Sequence, residues 1–177
     1  MSWMNIARAA KVLALVGFFM PWLLVSCQGQ PIATATGWQM AMGEMSAIGD
    51  ATVAQDADPA WWAILALVLI LGGAAATFFL KPPKRAALVL AGAAGAALVL
   101  CAVGMNLAIS EGRSNAVRPE AGADPAAAQM QSAMAEALRF ELRYGYWVTL
   151  LGLAIATGAG VLAWQGRELS LSASRAE

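Results

Sequence analysis

The sequence contains no histidine. That removes the commonest general base and the commonest metal ligand together. It has only two cysteines, Cys27 and Cys101, too far apart along the chain for a CxxC redox pair or a thiolate zinc cluster. Charge is scarce: 12% of residues are Asp, Glu, Lys or Arg, against roughly 25% in an average soluble domain. The formal net charge is zero, so no basic surface is on offer to nucleic acid. No glycine-rich loop carries the lysine that phosphate-binding loops use. Serines occur without a histidine base, which leaves nucleophilic catalysis without its usual activation.

What is present in quantity is hydrocarbon. Of 177 residues, 60% are hydrophobic and the mean hydropathy is +0.63, which excludes disorder and points to an integral membrane protein. A helix crossing ~30 Å of hydrocarbon needs about 20 mostly apolar residues. Four stretches are read as spans, at about 10–27, 60–80, 86–108 and 144–164. The first is the weakest, with Arg8 and Lys11 at its flank and Pro21 inside it as an expected kink. The expected fold is therefore all-α: one membrane domain of four transmembrane helices in a bundle, with amphipathic helices in two outer, periplasmic loops. Those loops are 28–59 and 109–143, joined to a short inner hairpin 81–85 and a tail 165–177.

Cation placement sets the expected orientation. Loop 28–59 has no Lys or Arg, whereas the hairpin holds Lys81, Lys84 and Arg85. With both termini in the cytoplasm of a bacterial inner membrane, seven cations lie inside and four outside. Trp22, Trp61, Trp62, Tyr144, Tyr146 and Trp147 then fall near the outer boundary, as interfacial aromatics do. A competing reading attaches to the first span. Leu24-Val25-Ser26-Cys27 resembles a lipoprotein signal-peptide box, whose cysteine is lipidated. Pro21-Trp22 just before the box is foreign to that pattern, and a retained span is the preferred reading.

Small residues are expected to pack the helices closely. The candidates are Gly92 and Gly95 in the third span and Gly152, Ala156 and Gly160 in the fourth. Gly72 and Ala76 form a similar pair in the second. With Lys11 counted as a flank, the spans contain no ionisable side chain. In outline four short helices resemble small drug exporters, but those rely on a membrane-embedded carboxylate that is missing here. Disulfide-generating four-helix enzymes need loop cysteine pairs, also missing.

Attention therefore moves to the outer loops. Ile32–Thr36 reads as a short extended piece, and Thr36 as the cap of a helix starting at Gly37. Trp38, Ala41, Met42, Met45 and Ile48 fit one helical face. Asp124-Pro125 marks a second helix start, with Met130, Met134, Leu138 and Leu142 recurring every four residues and running on toward the fourth span. Trp38, Met42, Met45, Ile48, Met130, Met134 and Leu138 are the candidate partner-binding residues. No catalytic residue, cofactor or metal is expected. The expected function is a non-catalytic accessory, assembly or structural subunit of a larger membrane complex, with lipids and that complex, or copies of the chain, as partners. One alternative is a small transporter or channel for an uncharged solute. Another is Cu(I) binding, because Met40, Met42, Met45, Met130 and Met134 resemble the methionine motifs of copper-handling membrane proteins.

Overall fold

The computed structural model describes residues 2–48, 58–79, 83–117 and 137–166. Its described part is mostly helical, with a four-stranded sheet added. The chain order is α1 (Trp3–Phe19), β1 (Pro21–Cys27), β2 (Gln30–Thr36), α2 (Gly37–Met42), β3 (Ser46–Ala47), α3 (Trp61–Phe79), α4 (Pro83–Val117), β4 (Leu138–Leu142) and α5 (Tyr144–Trp164).

The all-α expectation fails at both outer loops, and the reasons are local. Helix α1 starts at its Ser2 cap, whose side chain accepts the Asn5 amide hydrogen. It stops at Phe19 because Met20 precedes a proline, and proline's ring pushes the preceding residue out of the helical region. Met20 is extended, at φ −85° and ψ 161°. The apolar run Pro21–Cys27 then continues as a strand rather than as the last turns of a span. The first helix is thus shifted toward the N-terminus, and the Leu24–Cys27 box lies in the middle of a sheet. Gln28 and Gly29 close the hairpin at φ 51° and 82°, the double positive φ that a two-residue type I′ turn requires. Both cysteines, Cys27 at the end of β1 and Cys101 within α4, are free.

The cap at Thr36 forms as expected. Its hydroxyl accepts the Gln39 amide at 3.1 Å, and Gln39 Oε1 accepts the Thr36 amide at 2.9 Å, a complete capping box. The helix is shorter than its apolar spacing implied. Gly43 ends it in the left-handed region at φ 76°, so Met45 and Ile48 lie beyond α2. The part of the helix expected from Pro125 that would carry Met130 and Met134 falls outside the described residues. Leu138 and Leu142, expected on that helix, are on strand β4.

The sheet is antiparallel, in the order β3-β2-β1-β4. Strand β1 is central; Leu23 pairs with Leu142, Val25 with Phe140 and Ser26 with Arg139. Leu23, Val25, Ala33 and Ala35 cover one face, with Leu138, Phe140 and Leu142 from β4 and Ile109 from α4 packed on it. At ~1.5 Å per residue α4 is about 52 Å long, and its C-terminal end is a pedestal for the sheet: a Cβ at Gly112 would lie 3.4 Å from the Phe140 ring.

The helices pack with small residues inward. Ala7, Ala10, Ala14, Ala63, Ala66, Ala94, Ala97 and Ala156 are buried. Val12, Val16, Leu65, Val68, Leu88, Val99, Val103 and Leu151 point outward, each between two-fifths and two-thirds exposed. The largest helix contact is α1 on α5. There a Cβ at Gly152 would sit 2.8 Å from Ala10 O and Ala14 N. A Cβ at Gly145 would sit 2.6 Å from Pro21 O, and one at Gly17 2.6 Å from Thr149 Oγ1. Two helices, Lys84–Ser114 within α4 and Tyr144–Trp164, are long and apolar enough to cross a membrane.

Trp22, the second residue of β1, fastens the sheet to the bundle. It is wholly buried and donates from Nε1 to Gly17 O at 2.9 Å. Its ring stacks on Trp62 at 6.4 Å and meets Phe18 and Tyr146 edge-on at 4.9 and 5.7 Å. Of the six aromatics expected at the outer boundary, Trp22, Trp62 and Tyr146 are interior, while Trp61, Tyr144 and Trp147 are exposed.

The α1–α5 approach makes a direct prediction. Gly152→Leu lowers stability by at least the ~1–3 kcal/mol of an overpacked core, read as a lower thermal midpoint in detergent. Gly72→Leu, at a position with open space around it, leaves the midpoint unchanged. Equal effects of the two would contradict the packing.

Candidate functional site

Two places concentrate polar chemistry. The first is the outward face of the sheet. Alternation along a strand puts Arg139, Glu141 and Arg143 on one side of β4 and its neighbour, and Leu138, Phe140 and Leu142 on the other. Opposite them on β1 stand Ser26 and Leu24. These two are nearly buried and form the floor of a recess of about 540 Å³. Arg139, Glu141 and Arg143 wall one side, and the Gln28-Gly29 turn with Pro31 the other. Arg143 Nη2 lies 3.9 Å from Glu141 Oε2, with both side chains about half exposed. Such a pair is worth only ~0–1 kcal/mol and leaves both groups available to a ligand. Arg139 has no ion-pair partner among the described residues, so the recess has a surplus of one positive charge.

The second place is inside the bundle. Lys11 was expected to be a flank whose stem reaches back to the headgroups. The shift of α1 puts it at the ninth of 17 helical residues, 2% exposed. Its Nζ donates to Leu69 O at 3.4 Å. Gly73 of α3 leaves the space for this group; a Cβ there would overlap Nζ. Leu69 is eight residues, ~12 Å, from the start of α3, so the amine sits halfway along the helices. The expectation that no ionisable group enters the bundle is corrected by this residue. Lysine has three donors, and one long bond to a carbonyl leaves two of them unsatisfied among the described residues.

The remaining candidates scatter. Trp38 is partly exposed and stacks on Phe19 at 5.8 Å. Met42 and Ile48 are exposed, whereas Met45 packs on the apolar face of the sheet. Leu138 packs there too, so it and Met45 support the head from within. Met40 and Met42, two apart on α2, do not share a helix face; Met40 and Met45 both pack on the apolar face of the sheet, and Met130 and Met134 lie outside the described residues. No cluster of His, Cys, Asp or Glu with metal-ligand grouping exists among the described residues. Of the packing residues, Gly152, Ala156 and Gly160 are buried, with Gly160 against Ala91 of α4. Gly95 faces Thr157 at ordinary contact distance. Gly92 is exposed with open space beyond it, so its assignment to helix packing is corrected. Gly72 likewise faces out, and its neighbour Gly73 makes the contact.

Sequence reasoning missed Arg139, Glu141 and Arg143 as site residues. Their signal was present: Leu138-Arg139-Phe140-Glu141-Leu142 alternates strictly, the pattern of a half-buried strand.

No protein-family model matches the chain, and no curated protein matches it.

Replacing a poorly paired buried charge by an apolar side chain of similar length is often neutral or stabilising by about 1–4 kcal/mol. Lys11→Met is therefore expected to hold or raise the thermal midpoint in detergent. Lys11→Ala, which also opens a cavity, is expected to lower it. A large fall in the midpoint with Lys11→Met would show that the amine has a stronger partner than Leu69 O.

Proposed function

We propose that the chain is a four-span membrane protein with its sheet on the outer side, and that it serves as a non-catalytic accessory or assembly subunit of a larger membrane complex. The inverted packing supports the membrane setting. Water favours burying leucine and valine, but here most of the buried helical positions are alanine or glycine, with a few large side chains such as Phe18, Ile70, Leu90 and Leu153 among them, and many valines and leucines are outside. That arrangement suits lipid, where helices associate by close packing of small residues. Helices α1 and α3, at 17 and 19 residues, have lengths of about 26 and 29 Å. They lie alongside the two longer apolar helices and share their level. The Lys81-Lys84-Arg85 hairpin against the cation-free loop 28–59 supports both termini inside. Lys11 no longer counts toward that balance, being buried.

The observation that carries the docking role is the recess on the sheet. Its floor is Leu24 and Ser26, its wall has two arginines and one glutamate, and its position is fixed by strands that continue helices on both sides. A floor of one apolar and one hydroxyl side chain, with a surplus guanidinium on the wall, suits a partner segment that offers a carboxylate beside a small apolar side chain. A second reading is supported by Lys11. An amine at mid-bundle is the kind of group found along paths for anionic solutes, which turns the transporter alternative from an uncharged toward an acidic solute.

The test is extraction from native membranes in mild detergent. The docking reading expects a particle much larger than the 18.3 kDa chain. It expects Arg139→Glu combined with Arg143→Glu to release the chain as a monomer at an unchanged thermal midpoint. A wild-type chain recovered alone, with chloride- or carboxylate-dependent flux in reconstituted vesicles, would replace it by the transport reading.

A further inference from the structure

The outer half of the bundle carries a lateral groove of about 190 Å³ between the first turn of α3 and helix α4. On α4, Val99, Val103, Leu107 and Glu111 follow one another at spacing four, which places them in one line on one face. Trp61 forms the opposite lip. The floor is fixed by the close approach of Gly104 to Trp62, where a Cβ would overlap the indole. The lips are open: Trp61, Val99, Val103 and Leu107 are all more than half exposed. At ~30 Å³ per water the volume holds about six water-sized groups, which suits a single alkyl chain and not a partner's helix.

Depth along the helix then separates apolar from polar ends. Gly104 lies beside the first turn of α3, and Glu111 is seven residues further out, ~10 Å. In the membrane setting proposed above, on which this inference rests, Val99 to Leu107 stand at hydrocarbon depth and Glu111 at the depth of the headgroups. Glu111 is exposed, and its carboxylate has no ion-pair partner among the described residues. Arg113, two positions on, points to another side of the helix. We propose that this groove holds one acyl chain of an outer-leaflet phospholipid whose headgroup ammonium pairs with Glu111. A zwitterionic phosphatidylethanolamine satisfies both ends. An anionic phosphatidylglycerol satisfies only the apolar one and brings its charge toward a carboxylate.

The experiment uses the full-length chain, purified in mild detergent and incubated with equimolar phosphatidylethanolamine and phosphatidylglycerol, with bound lipid read by native mass spectrometry. The wild-type chain is expected to retain phosphatidylethanolamine about fivefold over phosphatidylglycerol, the weight of one accessible ion pair. Glu111→Gln is expected to equalise the two lipids at an unchanged thermal midpoint. Val103→Trp, an outward-facing change that fills the groove, is expected to reduce both adducts. A wild-type chain that resists alkaline carbonate extraction from its membranes yet retains neither lipid, or both equally, overturns the groove alone. A chain that carbonate releases overturns the membrane setting and the groove with it.

Discussion

The close approach of α1 and α5 is the constraint on which the rest of the molecule depends. Glycines at 17, 145 and 152 remove the side chains that would hold the two helices apart. The consequence is felt outside the bundle. Helix α1 ends one residue before β1, and β4 ends one residue before α5. Two helices in contact therefore deliver two strands side by side, and β1 and β4 pair over five residues. A β-hairpin alone is marginal in stability. Here the bundle supplies the third strand's position, the C-terminal end of α4 supports the apolar face, and Trp22 fills the joint. Head and bundle form one mechanical piece.

That coupling explains where the molecule's polar chemistry can be. One face of the sheet is committed to α4 through Phe140 and Ile109, so the other face is left with Arg139, Glu141 and Arg143. The recess there is rigid because its floor is the central strand. Inside the bundle the same economy of small residues leaves a place for the Lys11 amine beside Gly73. The enclosed Lys11 amine and the open, charged recess are the two features on which the transport and docking proposals respectively rest.

Much of this was legible in the sequence, and the failures have physical causes. Long apolar runs located α3, α4 and α5, with α5 ending at the residues its hydropathy indicated. Thr36 announced α2 as its cap; the return bond from Gln39 was not read from the sequence. The run Pro21–Cys27 misled because an apolar stretch does not distinguish a buried strand from a helix. The restriction that Pro21 places on Met20 was the better guide, and reading past it slid the first span outward and left Lys11 at the margin. Leu138 and Leu142 fit a spacing of four, which is a multiple of both the strand repeat and roughly one helical turn. The charges between them held the distinguishing information. Composition identified small residues for packing but not which face they occupy: Gly73 is in contact and Gly92 is not.

Contact between α1 and α5 is what holds β1 and β4 together. Ser26 and Arg139 are direct partners across β1 and β4. With Cys27→Ser removing the neighbouring thiol, the pair Ser26→Cys and Arg139→Cys is predicted to form a disulfide on mild oxidation of intact membranes. Adding Gly145→Leu, which forces α5 away from the start of β1, is predicted to abolish that cross-link. A cross-link that forms equally well with Gly145→Leu, or that never forms in the parent, would contradict the account.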